Sequence, residues 1–385
     1  MAIRLGAWGN TRSETPPKAV PATIQEALDQ LGHDDDWGVF AADLLLAEAE
    51  RLGASDLFLR QSRGGAEAAC LVDGHRLAVA CIPEARRQLL LARFKVLARV
   101  PAHVREEAQE GGIAWQPLAG EPPRRLRASF LPGLHGEDLA VRFPARDLAR
   151  PRLAELGMAP ELLARLQRSC ARREGAVLLT GPAGSGKTTT LYALLDYLND
   201  IRGGGSFLTV EDPVERELAY ATQVTVREER GLGWEAALRA ALRHAPDVIL
   251  VGESRDRVTA RTALQAGVTG HLVLTTLHAG RAERVAHRLL AMGVEPYLLA
   301  SAFEASMAQR LFPRADGPGR VAVFEGIFAS EALRTAILRG GAEESLAARM
   351  AEARIGDLAE DARRLADAGT IARADAEPLA EEAAR

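Results

Sequence analysis

The order of apolar and polar residues along the chain changes character near residue 150. Before that point, a helical pattern in GVFAADLLLAEAERLG ends at Gly53, a residue suited to a helix C-terminus. The following segments alternate and predict strands, with Asp73-Gly74 as a hairpin turn: SDLFLRQ, EAACLVDGHRLAVA, RLRASFLPG and EDLAVRF. With the helical stretch EARRQLLLARFKVLARV, they predict a compact α+β domain over residues 38–148.

Beyond Pro160, short apolar runs alternate with helical patterns such as WEAALRAALRHA and VTARTALQAG. The runs are GAVLLT (175–180), SFLTVED (206–212), DVILVGE (247–253) and HLVLTTLH (271–278). Runs of this kind are typical of strands buried on both faces of a parallel sheet. The alternation predicts an α/β domain over residues 149–330.

The two ends of the chain carry weaker patterns. Residues 1–37, rich in Pro, Thr and Asp, predict a partly disordered tail with one short helix in ATIQEALDQLG. Residues 331–385, rich in Ala, Glu, Arg and Leu, predict a C-terminal helical subdomain, although low complexity alone could produce that bias.

Composition narrows the functional class. The 385 residues are 47% hydrophobic and 26% charged with a net charge of −4, as in an ordinary globular protein, and this balance does not favour a nucleic-acid partner. Cys70, Cys81 and Cys170 are far apart and form no CxxC pair, which argues against a disulfide framework and a structural zinc site. The N-terminus has no signal-peptide pattern and no apolar run approaches the ~18 residues of a spanning helix, so we expect a cytoplasmic protein.

One stretch carries a specific chemical signal. Residues 181–188 read GPAGSGKT, directly after the strand predicted at 175–180 and before the helical pattern TTTLYALLDYL. A glycine-rich turn in this context directs backbone N–H groups and a helix N-terminus at phosphate oxygens. The nucleotide-binding residues are therefore predicted to be Gly181, Pro182, Ala183, Gly184, Ser185, Gly186, Lys187, Thr188 and Thr189.

Lys187 is one of only three lysines in a chain with 48 basic residues, the others being Lys18 and Lys95. A compact ammonium on a flexible stem reaches between the β- and γ-phosphates, where a planar guanidinium would not fit. Thr188 supplies a hydroxyl for Mg²⁺. With lysine this rare, the pattern would arise by chance in well under ~1% of such chains.

Hydrolysis also needs a carboxylate that orients or deprotonates water. LTVEDPVE places Glu211, Asp212 and Glu215 at the carboxyl end of one predicted strand, and DVILVGESRD places Glu253 at the end of another. We favour Glu253 as the residue nearest Mg²⁺ and water, assisted by Glu211 or Asp212. The alternative is that these are ordinary acidic residues at helix N-termini.

His271 and His278 flank the predicted strand LVLTTL, at opposite ends and too far apart to share a metal ion. Judged from the residues alone, each is more simply a structural histidine at a strand end.

Four ordered stretches resemble the Walker A, Asp box, Walker B and His box of the type II secretion and type IV pilus assembly ATPases. They are LLTGPAGSGKTTTLYALL, LTVEDPVE, PDVILVGESRD and TGHLVLTTLHA. The resemblance extends over roughly residues 38–370. It implies a RecA-like P-loop core preceded by a smaller PAS-like α+β domain, in a homo-hexameric ATPase at the cytoplasmic side of the inner membrane.

The resemblance also implies residue roles. Lys187 and Thr188 would hold phosphate and Mg²⁺, Glu253 would be the Walker B catalytic glutamate and a Mg²⁺ neighbour, and Glu211 belongs to the Asp box. The cofactors would therefore be ATP and Mg²⁺.

Two further pairs of residues gain roles from the same resemblance. His271 and His278 match the two His-box positions, which replaces the structural interpretation given above. Arg127 and Arg142 match arginines through which the N-terminal domain reaches the γ-phosphate, so that hydrolysis would depend on domain closure. Closure passed around a ring would act on an inner-membrane platform protein.

The family resemblance leaves alternatives open. AQRLFPRADGPGRVAVFEG runs across the place where most assembly-type members carry a tetracysteine insertion, so zinc is not expected. A pilus retraction ATPase is the nearest alternative, although RIGDLAEDARRLADAGTI is more similar to the assembly branch. A regulatory scaffold that binds nucleotide with little turnover is an alternative of another class, and a DNA translocase is disfavoured by the net acidity.

Overall fold

The computed structural model describes residues 22–31, 36–116, 124–143, 151–317, 319–339 and 343–383. The predicted tail therefore lies mostly outside the described residues, apart from a short helix where ATIQEALDQLG predicted one. By contact density the chain divides into two units, residues 1–148 and 149–385.

The N-terminal unit is an antiparallel sheet with helices packed on it. Its elements in chain order are α1 (Ala22–Gln30), α2 (Trp37–Arg51), β1 (Asp56–Ser62), β2 (Gly65–Val72), β3 (His75–Pro83), α3 (Glu84–Ala98), β4 (Gln109–Trp115), β5 (Arg124–Gly133) and β6 (Gly136–Arg142). The strand order is β3-β2-β1-β6-β5-β4. Leu45, Phe94 and Phe130 lie in its core.

The predicted hairpin at residues 73–74 is confirmed. Val72 pairs with His75, and Asp73 and Gly74 have φ angles of +48° and +85°. Two consecutive positive φ angles are what a two-residue turn with the twist of the flanking strands requires, which explains the Asp-Gly pair.

The C-terminal unit is a mostly parallel sheet between helices. Its elements are α4 (Pro160–Cys170), β7 (Gly175–Thr180), α5 (Lys187–Arg202), β8 (Phe207–Glu211), β9 (Ala221–Thr225), α6 (Trp234–Ala241), β10 (Val248–Val251), α7 (Arg257–Val268), β11 (Leu272–Leu277), α8 (Arg284–Ala291), α9 (Pro296–Ala302), β12 (Phe303–Pro313), β13 (Arg320–Phe328), α10 (Glu331–Leu338), α11 (Glu343–Glu352), β14 (Arg354–Ile355), α12 (Leu358–Asp367) and α13 (Arg373–Ala383). The strand order is β14-β13-β12-β7-β11-β10-β8-β9.

The four predicted apolar runs are the central strands β7, β8, β10 and β11, and every residue in them is buried. They pair in parallel, so their carboxyl ends meet at one edge of the sheet. The predicted α/β fold is thereby confirmed.

The structure also contains strands that the sequence pattern did not predict. β12 lies parallel to β7 and forms a long antiparallel hairpin with β13, and β14 pairs with β13. The C-terminal region is therefore helical, as predicted, but is joined to the sheet through β14.

Candidate functional site

The phosphate-binding loop joins the carboxyl end of β7 to the amino end of α5. Gly181 and Gly186 have φ angles of +146° and +85°. A Cβ atom on Gly181 would lie 2.4 Å from the carbonyl oxygen of Gln309, and one on Gly186 would lie 2.9 Å from its Nε2. The turn therefore requires glycine at both positions, for conformation and for space.

Lys187 folds back over this loop. Its Nζ donates hydrogen bonds of 2.9 Å to the carbonyl oxygens of Gly181 and Pro182. Burial lowers the pKa of Lys187, and the negative charge of Glu253 partly offsets that effect. A partly desolvated cation held over a ring of backbone groups is suited to an anionic ligand.

The residues of the loop fit a bound phosphate chain. Ser185 is buried, and its Oγ has no hydrogen-bond partner within the described ranges. The first turn of α5 carries no acidic residue and no side-chain cap, which leaves its N-terminus suited to phosphate. Thr188 is partly exposed in that turn, and its role as a Mg²⁺ ligand stays a prediction.

Gln309 braces the loop from β12, a role that the sequence did not predict. Its Nε2 donates to the carbonyl oxygen of Ser185 at 2.5 Å, and its Oε1 accepts from Thr190 Oγ1 at 2.8 Å. No local motif predicts this residue, because β12 is distant from the phosphate loop in sequence and becomes adjacent to it only through strand pairing.

Glu253 follows β10, at the same edge of the sheet as the loop. Its Oε1 lies 2.9 Å from His278 Nε2, and its Oε2 accepts from Arg255 Nε at 2.7 Å. The predicted acid and one predicted histidine therefore lie together. Arg255 was not predicted to belong to the site, although its position two residues after Glu253 was a usable signal.

Hydrogen bonds between strand ends hold this pair in place. Thr276 Oγ1 donates to the carbonyl oxygen of Gly252 at 2.7 Å, and Ser254 N donates to that of Thr276 at 2.9 Å. Beyond β11, the backbone N–H of Ala279 donates to Thr180 Oγ1 at 2.8 Å. The loops that carry the acid and the histidine are thus tied to each other and to β7.

Glu211 lies at the end of β8 with 3% of its surface exposed. Tyr192 OH and Thr209 Oγ1 each donate to its carboxylate at 2.6 Å. Burial and the bond to Glu211 raise the pKa of Tyr192 above its usual value. The carboxylate is held in a buried hydrogen-bonded set, and its participation in hydrolysis stays a prediction.

His271 lies at the other end of β11 from His278. Its Nδ1 is 3.1 Å from the carbonyl oxygen of Ala266. The strand between the two histidines, Leu272–Leu277, spans ~20 Å in extended conformation. The structure therefore places His278 beside Glu253, but not His271.

Arg127 and Arg142 lie opposite each other on β5 and β6 of the N-terminal unit, so their side chains share one face of that sheet. Both are exposed, and Arg142 Nε donates to Asp56 Oδ1 at 2.9 Å. Two like charges directly opposite each other are unfavourable unless an anion lies nearby. Asp56 already supplies an anion beside Arg142, and the phosphate-binding role of the pair stays a prediction.

The three cysteines are free thiols, and burial raises the pKa of Cys70 and Cys170 to about 12. Among the residues that the structure describes, no cluster of three or more His, Cys, Asp or Glu side chains could hold a metal ion. The absence of zinc stays a prediction. No helix within the described part of the chain is long and apolar enough to cross a membrane.

Comparison with known proteins identifies relatives along nearly the whole chain. The family described as Type II/IV secretion system protein matches residues 39–376. The type II secretion system protein HxcR of Pseudomonas aeruginosa is 36% identical over 386 residues, 94% of this chain and 81% of HxcR. The type II secretion system protein E of the same organism is 38% identical over 294 residues, which cover 76% of this chain but only 58% of that relative.

Solved structures share the fold. The Legionella pneumophila ATPase DotB matches with a TM-score of 0.70 and 24% identity, covering 90% of this chain and 96% of DotB. The pilus retraction motor PilT, solved with bound ADP, matches with a TM-score of 0.62 and 27% identity, covering 88% of this chain and 96% of PilT.

Proposed function

We propose that this chain, which belongs to the family of type II/IV secretion system proteins, is an ATP-hydrolysing motor that powers type II secretion or type IV pilus assembly. The observation that carries the proposal is the meeting of a phosphate loop with Glu253 and His278 at the carboxyl edge of one parallel sheet. A P-loop by itself would support only nucleotide binding.

In this proposal the loop from Gly181 to Thr189 binds the phosphates of ATP. Lys187 exchanges its contacts with loop carbonyls for contacts with the β- and γ-phosphates. Thr188 and Glu253 would hold Mg²⁺, which would neutralise negative charge on the phosphate oxygens. Gln309 keeps the loop in the shape that these contacts need.

Glu253 orients the attacking water and accepts its proton. Its second oxygen is held by Arg255, and His278 fixes the other from the end of β11. A carboxylate restrained in this way does not need to reorganise during the reaction. Glu211 assists from the end of β8 by holding α5, the helix that follows the phosphate loop, through Tyr192.

Arg127, Arg142 and His271 have roles that follow from the family resemblance. The two arginines complete the site from the N-terminal unit, so that turnover accompanies domain closure. His271 matches the His box together with His278, but it lies at the amino end of β11. It would therefore act by holding that end of the strand and not by contacting the nucleotide.

We further propose that the chain works as a homo-hexamer, in the cytoplasm, and reaches the inner membrane through a platform protein of the secretion or pilus machine. Neither nucleic acid nor zinc enters this mechanism. The net charge of −4 supports the exclusion of nucleic acid.

Pilus retraction is the second candidate function. It is favoured by the similarity to the retraction motor PilT at 27% identity. The relatives named as secretion proteins share 36% and 38% identity with this chain, which supports the first candidate.

The test is steady-state ATPase activity measured against protein concentration, with Lys187→Ala as the blank. We expect specific activity to rise with concentration and to vanish in the variant, because subunits complete one another's sites. Glu253→Gln should bind ATP but not turn it over.

Normal hydrolysis by Lys187→Ala would refute the phosphate-loop assignment, and full-rate hydrolysis by Glu253→Gln would shift the catalytic role to Glu211. Tight ATP binding without turnover, even after the candidate membrane partner is added, would favour the regulatory scaffold over the motor.

A further inference from the structure

A buried ionic cluster lies behind the site, in the C-terminal unit. Arg281 donates through Nε to Glu325 Oε1 at 3.1 Å and through a terminal nitrogen to Asp357 Oδ2 at 2.6 Å. All three residues are buried. One guanidinium thus joins the loop after β11 to β13 and to the residue that precedes α12.

The loop that carries Arg281 also carries His278. Between them, Ala279 is tied to Thr180, the last residue before the phosphate loop. Immediately after Arg281, the N–H of Ala282 donates to Glu325 Oε1 at 2.9 Å. The segment from residue 278 to residue 282 is therefore held by the nucleotide site at one end and by the ionic cluster at the other.

The cluster also determines where α12 begins. Asp357 is the N-cap of α12, and its Oδ1 accepts from the N–H of Ala359 at 2.8 Å. Glu325 Oε2 accepts from the N–H of Leu358 at 3.4 Å. The two carboxylates that receive Arg281 thus also hold the first residues of this helix.

A buried ion pair of this kind is rarely the best way to stabilise a fold, because desolvation offsets much of the attraction. Its geometric demand is strict, since the planar guanidinium serves both carboxylates in only one arrangement. A shift of α12 must therefore move Arg281, and with it the segment leading to His278.

We propose that Arg281 is a positioning residue that couples the C-terminal helices to the hydrolytic site through His278. Because Glu253 depends on His278 for its orientation, a change in the packing of α12 alters turnover, and nucleotide in the site alters the protection of α12. This inference rests on the proposed ATPase function and adds a route by which a partner bound at the C-terminal helices would regulate it.

The test is hydrogen exchange of the full chain with and without Mg²⁺ and the non-hydrolysable analogue AMP-PNP, at a concentration where the oligomeric state does not change. Arg281→Met alone leaves the buried carboxylate of Glu325 without its cation and could unfold the unit, whereas Asp357 keeps Arg354, which donates to its Oδ2 at 3.2 Å. The variant is therefore made together with Glu325→Gln, which removes the uncompensated charge and keeps an acceptor for Ala282.

The matched control is Arg364→Met. Arg364 fixes α12 by donating to Asp361 Oδ1 at 2.8 Å and to the carbonyl oxygen of Gly157 at 2.7 Å, without touching the segment 278–282. The Arg364→Met substitution therefore loosens α12 without breaking the proposed route through residues 278–282.

In the wild-type chain, AMP-PNP should slow exchange in both the phosphate loop and residues 358–367. In the double variant, the loop should still be protected but the nucleotide effect on residues 358–367 should vanish. The kcat for ATP should fall on the order of 10-fold with KM little changed, because orientation and not binding is lost. The control should exchange faster throughout α12 and keep its nucleotide effect and its kcat.

A nucleotide effect on α12 that survives in the double variant, or that never occurs in the wild type although the loop is protected, would overturn the coupling and leave the ATPase proposal intact. Failure of AMP-PNP to protect the loop itself would remove the proposed function, and this inference with it.

Discussion

The hydrogen bonds of Gln309 near the phosphate-binding loop give the most direct test of the site. Gln309, with 2% of its surface exposed, holds the carbonyl oxygen of Ser185 outward. Because the C=O and N–H of a trans peptide point in opposite directions, this contact directs the N–H of Gly186 into the loop, where phosphate would bind. Replacing Gln309 by Met preserves most of the volume and removes both hydrogen bonds.

The expected loss of free energy follows from the two groups that lose Gln309 as their hydrogen-bond partner. The Thr190 hydroxyl can turn to a carbonyl of its own helix, so its loss is partly compensated. The buried carbonyl of Ser185 has no such choice, and an unsatisfied buried acceptor costs about 1–3 kcal/mol. The loop can avoid this cost by rotating the peptide between Ser185 and Gly186, which turns the N–H of Gly186 away from the bound phosphate. Gln309→Met is then expected to weaken ATP binding by about 2 kcal/mol, a factor of about 30 in Kd.

Calorimetric titration with Mg²⁺ and ATP measures the Kd, and urea unfolding of the same samples reports stability. Thr190→Val is the matched control, because it removes one partner of Gln309 and leaves the contact with Ser185. We expect it to lower stability and leave the Kd within about twofold of the wild-type value. An unchanged Kd in Gln309→Met, despite a loss of stability, would refute the bracing argument.

Two further predictions concern the described lysines. Lys95, 1% exposed, donates to Glu137 Oε1 at 2.5 Å and to the carbonyl oxygen of Val104. Lys95→Met should lower the free energy of unfolding of the N-terminal unit by about 3–5 kcal/mol in urea titrations, much of it recovered by adding Glu137→Gln, since the main cost is an unpaired buried carboxylate. Burial lowers the pKa of Lys187 in the folded chain. At pH values between this pKa and the pKa of Lys187 in the unfolded chain, the unfolded chain binds more protons. The destabilisation that results from burying the charged lysine therefore disappears as the pH rises through this interval. Phosphate favours the charged form, so ATP affinity measured by calorimetry should fall as the pH rises toward the lowered pKa; a flat profile that matches Lys187→Ala would contradict this reasoning.

Much of the fold could be predicted from local pattern. Mainly apolar runs of four to six residues became β7, β8, β10 and β11 because strands buried on both faces need no polar side. The sequence pattern did not predict β12, and the reason is physical. Its sequence, FEASMAQRLFP, mixes polar and apolar residues without period. Polar positions such as Ser306 and Gln309 are buried there because they bond to loops contributed by distant segments.

The same division holds at the site. By itself, the sequence determined the phosphate loop, its lysine and the candidate acid Glu253, because these functions need particular residue types at fixed spacing on a strand–turn–helix. Only the tertiary structure decided which other residues join them. It placed His278 beside Glu253 and His271 a strand's length away, brought Gln309 under the loop, and buried Arg281 between two carboxylates. Spacing along the chain carries information about neighbours within one element, whereas contacts between elements depend on strand order and register, which no local pattern encodes.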